Sequence, residues 1–112
     1  MKVSEIRDSL ELRQLNGTPA ALERDVTGGY CGDLLSWVMG RAGAGQAWVT
    51  IMQNVNVAAV AALTDAACVI LAEGVSPDDG LAKRAALDDL PLFVSDKAAY
   101  EISGRLYALL AK

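Results

Sequence analysis

From residue 25 onward the sequence alternates helical and strand-like stretches, and this alternation limits the fold more than any other feature. Apolar spacing of the helical kind runs over 30–41, 57–66, from Ser76-Pro77 to about residue 89, and from Ser95 to the end. Between these lie short apolar runs at 46–52, 68–71 and 91–94. Strands separated by helices need crossovers, and crossovers give parallel strands joined with right-handed connections. The run 46–52 is almost continuously apolar and rich in β-branched residues, as a central strand covered on both faces must be. The expected fold class is therefore α/β, a three-layer α/β/α domain spanning 1–112 with about five mostly parallel strands. The first two strands, expected at 11–15 and 20–24, are near enough in sequence for a different, antiparallel pairing at one end of the sheet. Ser4 is expected to cap a short first helix with Val3, Ile6 and Leu10 turned inward, and 16–19 reads as a turn.

With 112 residues the chain is long enough for one hydrophobic core. Much of its 53% hydrophobic content is alanine, which suits helices packed closely on a sheet or a partner. A net charge of −4 argues against nucleic acid or an acidic membrane surface as the main partner. The absence of histidine removes imidazole chemistry, and Cys31 and Cys68 lack CxxC spacing, so no metal site is expected. No cofactor is expected either. Both cysteines read as packed free thiols in a reducing compartment. The start of the chain lacks the apolar run of a signal peptide, and no stretch is long enough to span a bilayer, which points to a cytoplasmic protein.

Asp25-Val26-Thr27-Gly28-Gly29-Tyr30 reads as a tight backbone bend opening the helix at 30–41, whose apolar stripe is Leu34, Leu35, Val38 and Met39. Free amides at a helix start attract anions. In an open parallel sheet, ligands collect at the carboxyl ends of strands. Those ends are expected to carry Asp25, Thr27, Gly28 and Gly29, then Gln53, Asn54 and Asn56, then Glu73 and Gly74, then Ser95 and Asp96. A ligand site is expected to draw on Asp25, Thr27, Gly28, Gly29, Asn54, Asn56 and Ser95, with small anions as its class. The bland alternative is strong, because capping residues and glycines occur at such positions in any α/β protein.

No catalytic set accompanies the site. GxxxxGK[ST] and GxGxxG are both absent, and 40–45, although glycine-rich, closes a helix with Gly43 as its expected C-cap. Asp25, Asp33, Asp65 and Asp96 have no fixed pairing for acid–base work and read as capping or solvated carboxylates. Trp37 falls off its helix stripe, and Tyr100 and Tyr107 share one side of the last helix beside the stripe Ala99, Ile102, Leu106, Leu109 and Leu110. A homodimer, or a protein partner, is expected on one of these faces.

Asp25, Thr27, Gly28 and Gly29, with Val26 in place of arginine, resemble the DRTGG domain family. The likeness extends through the strand around 49–51, the asparagine turn, the helix beginning at 57, the apolar 68–71 and the stretch 91–107. It implies a fold similar to the N-terminal domain of the kinase/phosphorylase of the phosphocarrier protein HPr. It also implies a non-catalytic regulatory or assembly module, often dimeric, with adenine nucleotides bound in pyrophosphatases that carry it beside CBS domains. Two alternatives stand beside that reading: a pure protein–protein scaffold and, with less to support it, a small phosphotransferase. Val26 removes a guanidinium suited to phosphate.

Overall fold

A computed structural model of the chain describes residues 1–111. Its elements are α1 (Val3–Ser9), β1 (Arg13–Asn16), α2 (Pro19–Leu22), β2 (Gly28–Cys31), α3 (Leu35–Arg41), β3 (Gln46–Thr50), α4 (Asn56–Thr64), β4 (Cys68–Leu71), α5 (Asp79–Asp88), β5 (Leu92–Val94) and α6 (Ala99–Leu110). The five strands form one sheet in the order β1-β5-β4-β3-β2. Strands β2 to β5 are parallel to their neighbours, and β1 alone runs antiparallel, against β5, with a bulge between Gln14 and Asn16. The expected α/β class and mostly parallel sheet are borne out.

The strands' side chains alternate between two buried clusters, as the two-residue period of a strand requires. Ala47, Val49, Cys68, Ile70 and Phe93 point to the side covered by α1 and α6, where Val3, Ile6, Leu10, Ile102 and Leu106 meet them. Trp48, Val69, Leu71 and Leu92 point to the other side, onto Val38 of α3, Val57, Ala58, Val60 and Ala61 of α4, and Leu81 and Ala85 of α5. The alanines at these contacts let the helices lie close to the sheet. Trp48, almost wholly buried, also donates its indole N–H to the Gly32 carbonyl at 2.9 Å. Burying that donor without an acceptor would cost stability, so the bond holds the β2–α3 turn against the sheet.

The structure revises four local expectations. Residues 19–22 form a helical turn, α2, instead of a strand: Thr18 Oγ1 accepts from the Ala21 N–H, and Pro19 starts the turn with its φ already helical. The second strand lies further on, because Gly28-Gly29-Tyr30-Cys31 is β2, paired with Gln46-Ala47-Trp48-Val49 of β3. The double glycine thus sits inside a strand, neither residue has a positive φ, and it opens no helix. Helix α3 begins only at Leu35, leaving Leu34 and Met39 exposed and Val38 as the buried member of the expected stripe. Strands β1 and β2 are not partners but occupy opposite edges of the sheet.

Several caps also differ. Lys2, not Ser4, precedes α1, where Glu5 Oε1 accepts from the Lys2 N–H. Ala42 is the residue after α3, and the left-handed glycine of that loop is Gly45 rather than Gly43. Helix α5 starts at Asp79, past the expected Ser76-Pro77, and Asp78 caps it by accepting from the Leu81 N–H at 2.9 Å. The N–H of Ala99 at the start of α6 is taken by Glu73 Oε2 at 2.8 Å, while Ser95 Oγ accepts from Lys97 N–H.

Candidate functional site

Since β2 to β5 run in the same direction, the residues before β2 and those after β3 and β5 lie at opposite ends of the sheet. Asp25 and Thr27 stand at the amino end, Gly28 and Gly29 within β2, and Asn54, Asn56 and Ser95 at the carboxyl end. The seven residues expected to converge therefore divide into two groups, and the shared rim they were expected to form does not exist. The cause is the reassignment of the glycine pair from a helix start to a strand.

At the carboxyl end the polar groups are occupied with each other. Asp33 Oδ1 accepts from the Thr50 hydroxyl at 2.7 Å and the Ile51 N–H at 2.9 Å. Asn54 Oδ1 accepts from the Asn56 N–H, and Gln53 Nε2 donates to the Ser76 carbonyl. The Glu73 and Gly74 N–H groups donate to the carbonyls of Lys97 and Ser95. These bonds tie loops to loops and give the Asn54 and Ser95 side chains structural work, while Asn56 takes part through its backbone N–H.

At the amino end, Asp25 is exposed and forms a backbone bridge with Lys2, and the Val26 N–H donates to the Met1 carbonyl. Thr27 is fixed twice: its N–H donates to the Gly45 carbonyl at 2.9 Å and its hydroxyl to the Ala44 carbonyl at 2.8 Å. These contacts join the starts of β2 and β3.

The concave feature that uses the glycine pair is a groove of about 490 Å³ between the edge strand β2 and helix α6. Thr27, Gly28, Gly29, Tyr30 and Cys31 form one wall, and Ser103, Leu106, Tyr107, Leu110 and Ala111 the other. The second set follows the three- and four-residue spacing of one helix face. Its floor includes Val49, and Gln46 stands at its end. Gly29 sets the groove's width, because a Cβ there would lie 2.7 Å from Leu106 Cδ2. Close approach of α6, rather than a backbone bend, is the physical reason for a glycine at this point.

Three of the expected residues, Thr27, Gly28 and Gly29, line this groove; Asp25, Asn54, Asn56 and Ser95 do not. Sequence reasoning missed Ser103, whose hydroxyl oxygen is shielded from solvent and has no hydrogen-bond partner among the described residues. The available signal was its position, three residues before Leu106 and four before Tyr107 on the face of α6 that turns toward the sheet. Cys31 was expected to be packed near a helix start; it is exposed at the end of β2.

The two thiols consequently differ. Burial pushes the Cys68 thiol up to about 12, because the thiolate would have to form inside the core. At pH 8 only about one Cys68 in ten thousand is then ionised. Ellman's reagent is expected to titrate one thiol per folded chain, Cys31, and both in denaturant. Equal rates for the two thiols in the folded protein would contradict this arrangement. Among the described residues no cluster of three or more His, Cys, Asp or Glu is placed to hold a metal ion, and no helix is long and apolar enough to cross a membrane.

No protein-family model matches the sequence, and no curated protein matches it. Among solved structures, the chain is similar to the CBS and DRTGG domains of the regulatory region of Clostridium perfringens pyrophosphatase, crystallised with the activator diadenosine tetraphosphate. The TM-score is 0.72 at 11% sequence identity, over 95% of this chain and 45% of that one. At that identity the likeness is one of fold: the chain has a DRTGG-type α/β architecture and spans less than half the length of the chain it matches.

Proposed function

We propose that the protein is a non-catalytic regulatory or assembly domain that senses a small ligand, with an adenine nucleotide as the leading class, in the groove between β2 and α6. The observation that carries this reading is the groove itself, walled by β2 on one side and one face of α6 on the other. Its volume falls in the range of small-molecule sites. The neighbouring fold belongs to a regulatory region crystallised with a dinucleotide activator, which supports ligand sensing as the class of activity. For an enzyme the groove lacks machinery: the sequence has no histidine, and the Cys31 thiol has no side-chain base among the groove's described residues. The reading belongs with a cytoplasmic protein.

A thermal-shift screen of nucleotides and phosphorylated metabolites tests the proposal. Adenine-containing compounds are expected to raise Tm, since a ligand that binds only the folded state stabilises it by mass action. The shift is expected to vanish in Cys31→Trp, which fills the groove from its strand side. Flat curves across the whole set would remove ligand sensing.

A second reading, assembly through a protein interface, draws on α3. Leu34, Trp37 and Met39 are all about half exposed, and the Arg41 guanidinium lies 3.7 Å from the centre of the Trp37 ring. Leu34 and Trp37, three residues apart, can share one side of the α3 start, while Met39 lies round the helix from them; contiguous exposed apolar surface is what marks an interaction face. Light scattering is expected to give a homodimer for the native chain and a monomer for Trp37→Glu; a monomer in both cases would dismiss dimerisation.

A further inference from the structure

We infer that a second copy of the chain pairs along the open edge of β2, antiparallel about a two-fold axis at Tyr30, so that two sheets join into one. This deepens the assembly reading above and rests on it, naming the seam at which the copies meet. In a parallel ladder, alternate residues of a strand bond to a given neighbour. On β3 the Gln46 carbonyl accepts from Ala67, on the β4 side, and the Val49 carbonyl accepts from Gly32, on the β2 side. With Gly28 beside Gln46 and Tyr30 beside Trp48, the backbone groups of Gly28, Tyr30 and Gly32 therefore turn to β3. Those of Gly29 and Cys31 turn outward, where β2 has no neighbour in the sheet and no described loop bonds to them.

The two edges of the sheet differ. Strand β1 carries a bulge and Arg13, and its Asn16 side chain is tied to the Ala85 and Leu90 carbonyls. Bulges and charges keep a free edge from pairing. Strand β2 has an unbroken register, no charge and no proline. Its outward groups also match themselves. They lie symmetrically about Tyr30, so an antiparallel copy sets Gly29 opposite the partner's Cys31, and all of them are satisfied by mutual hydrogen bonds. With no side chain on the glycine opposite, the Cys31 thiol stays open to the groove. The seam alone falls short of the about 800 Å² per partner that a stable pair needs. The flanking helices supply the rest: α6, with the largely exposed Tyr107, on one face, and α3, the crossover from β2 to β3, on the other. The partner's strand then closes the open side of the groove, which takes walls from both copies.

Sedimentation and thiol crosslinking of the full chain test the seam. The axis sets Tyr30 opposite its own copy in a pair without mutual hydrogen bonds, with Cα atoms about 4.5 Å apart. That separation suits a disulfide, whereas the two Cys31 positions lie on a diagonal of about 7–8 Å, which does not. Under mild oxidation, Tyr30→Cys in a Cys31→Ser background is expected to give an inter-chain disulfide in most of the protein. The native chain, despite its exposed Cys31, is expected to give almost none. Cys31→Pro removes an outward N–H and leaves the bonds to β3 in place, a substitution that edge strands tolerate. It is expected to weaken the dimer roughly tenfold or more with an unchanged circular dichroism spectrum. If Cys31→Pro does not fold, the crosslink decides alone. A native dimer that survives Cys31→Pro and gives no Tyr30→Cys crosslink would overturn the β2 seam and leave assembly through α3 standing. Crosslinking of native Cys31 as fast as that of Tyr30→Cys would overturn it too. A native chain that sediments as a monomer at every concentration would remove both the seam and the assembly reading.

Discussion

Replacing Trp48 with alanine is expected to cost about 3–5 kcal/mol, the range for emptying a buried aromatic position. Trp48 is the largest fully buried side chain and fills the space between the centre of the sheet and the layer made by α3, α4 and α5. Alanines already occupy positions 58, 61 and 85 on that side. They have no side-chain length with which to close the void. Because a domain of this size is stable by only about 5–15 kcal/mol, the variant loses a large share of what it has. Urea unfolding followed by circular dichroism measures this as a fall in midpoint at unchanged slope. Trp48→Phe separates two causes: it keeps most of the volume but leaves the Gly32 carbonyl without its indole donor, for a smaller expected loss of about 1–3 kcal/mol. A Trp48→Ala loss below about 1 kcal/mol would mean that the layer collapses freely onto the sheet.

Gly45→Val is expected to come next in severity. Gly45 has φ +78°, and a Cβ there would lie 2.9 Å from Thr27 Cγ2 and 3.0 Å from Thr27 Oγ1. The left-handed backbone alone costs a side chain about 1–2 kcal/mol. Forced overpacking against Thr27 adds about 1–3 kcal/mol. The residue has no room to move, since its N–H donates to the Asp65 carbonyl and its own carbonyl accepts from Thr27. Adding Thr27→Ala to Gly45→Val is expected to recover the packing share and not the backbone share, because the two residues are in direct contact and their effects couple. Full recovery in the double variant would show that the backbone pays nothing for the left-handed turn.

What could be read from the sequence was set by the length and purity of each signal. The runs containing Trp48-Val49 and Cys68-Val69-Ile70-Leu71 are apolar on both faces, and no element other than a central strand buries such a run within so few residues. The stripe of α6 was legible for the same reason, since Ala99, Ile102, Leu106, Leu109 and Leu110 repeat over three turns. Gly28-Gly29-Tyr30-Cys31 gave no such signal. A strand at the sheet's edge needs little apolar content, and Gly29 is there to admit Leu106, a residue far along the chain whose approach no local pattern announces. Misplacing that one strand moved the glycines to the wrong end of the sheet and carried the expected site with them. The stretch 19–22 was misjudged through its cap: Thr18 and Pro19 start a single helical turn that four residues cannot advertise by periodicity.

The order of the strands has a consequence for how the molecule assembles. Strands β2 to β5 sit side by side in the order they leave the ribosome, so each crossover can dock on the one before it. The remaining pairing joins Gln14 to Phe93, two points from opposite ends of the domain. Closing so long a loop adds only about 0.6 kcal/mol for each doubling of its length, a modest toll on equilibrium stability. Its weight falls on speed, because contacts between remote segments delay the rate-limiting step. Within this sheet β1 pairs with β5 alone, so it has no neighbour to bind until the last strand of the five is present.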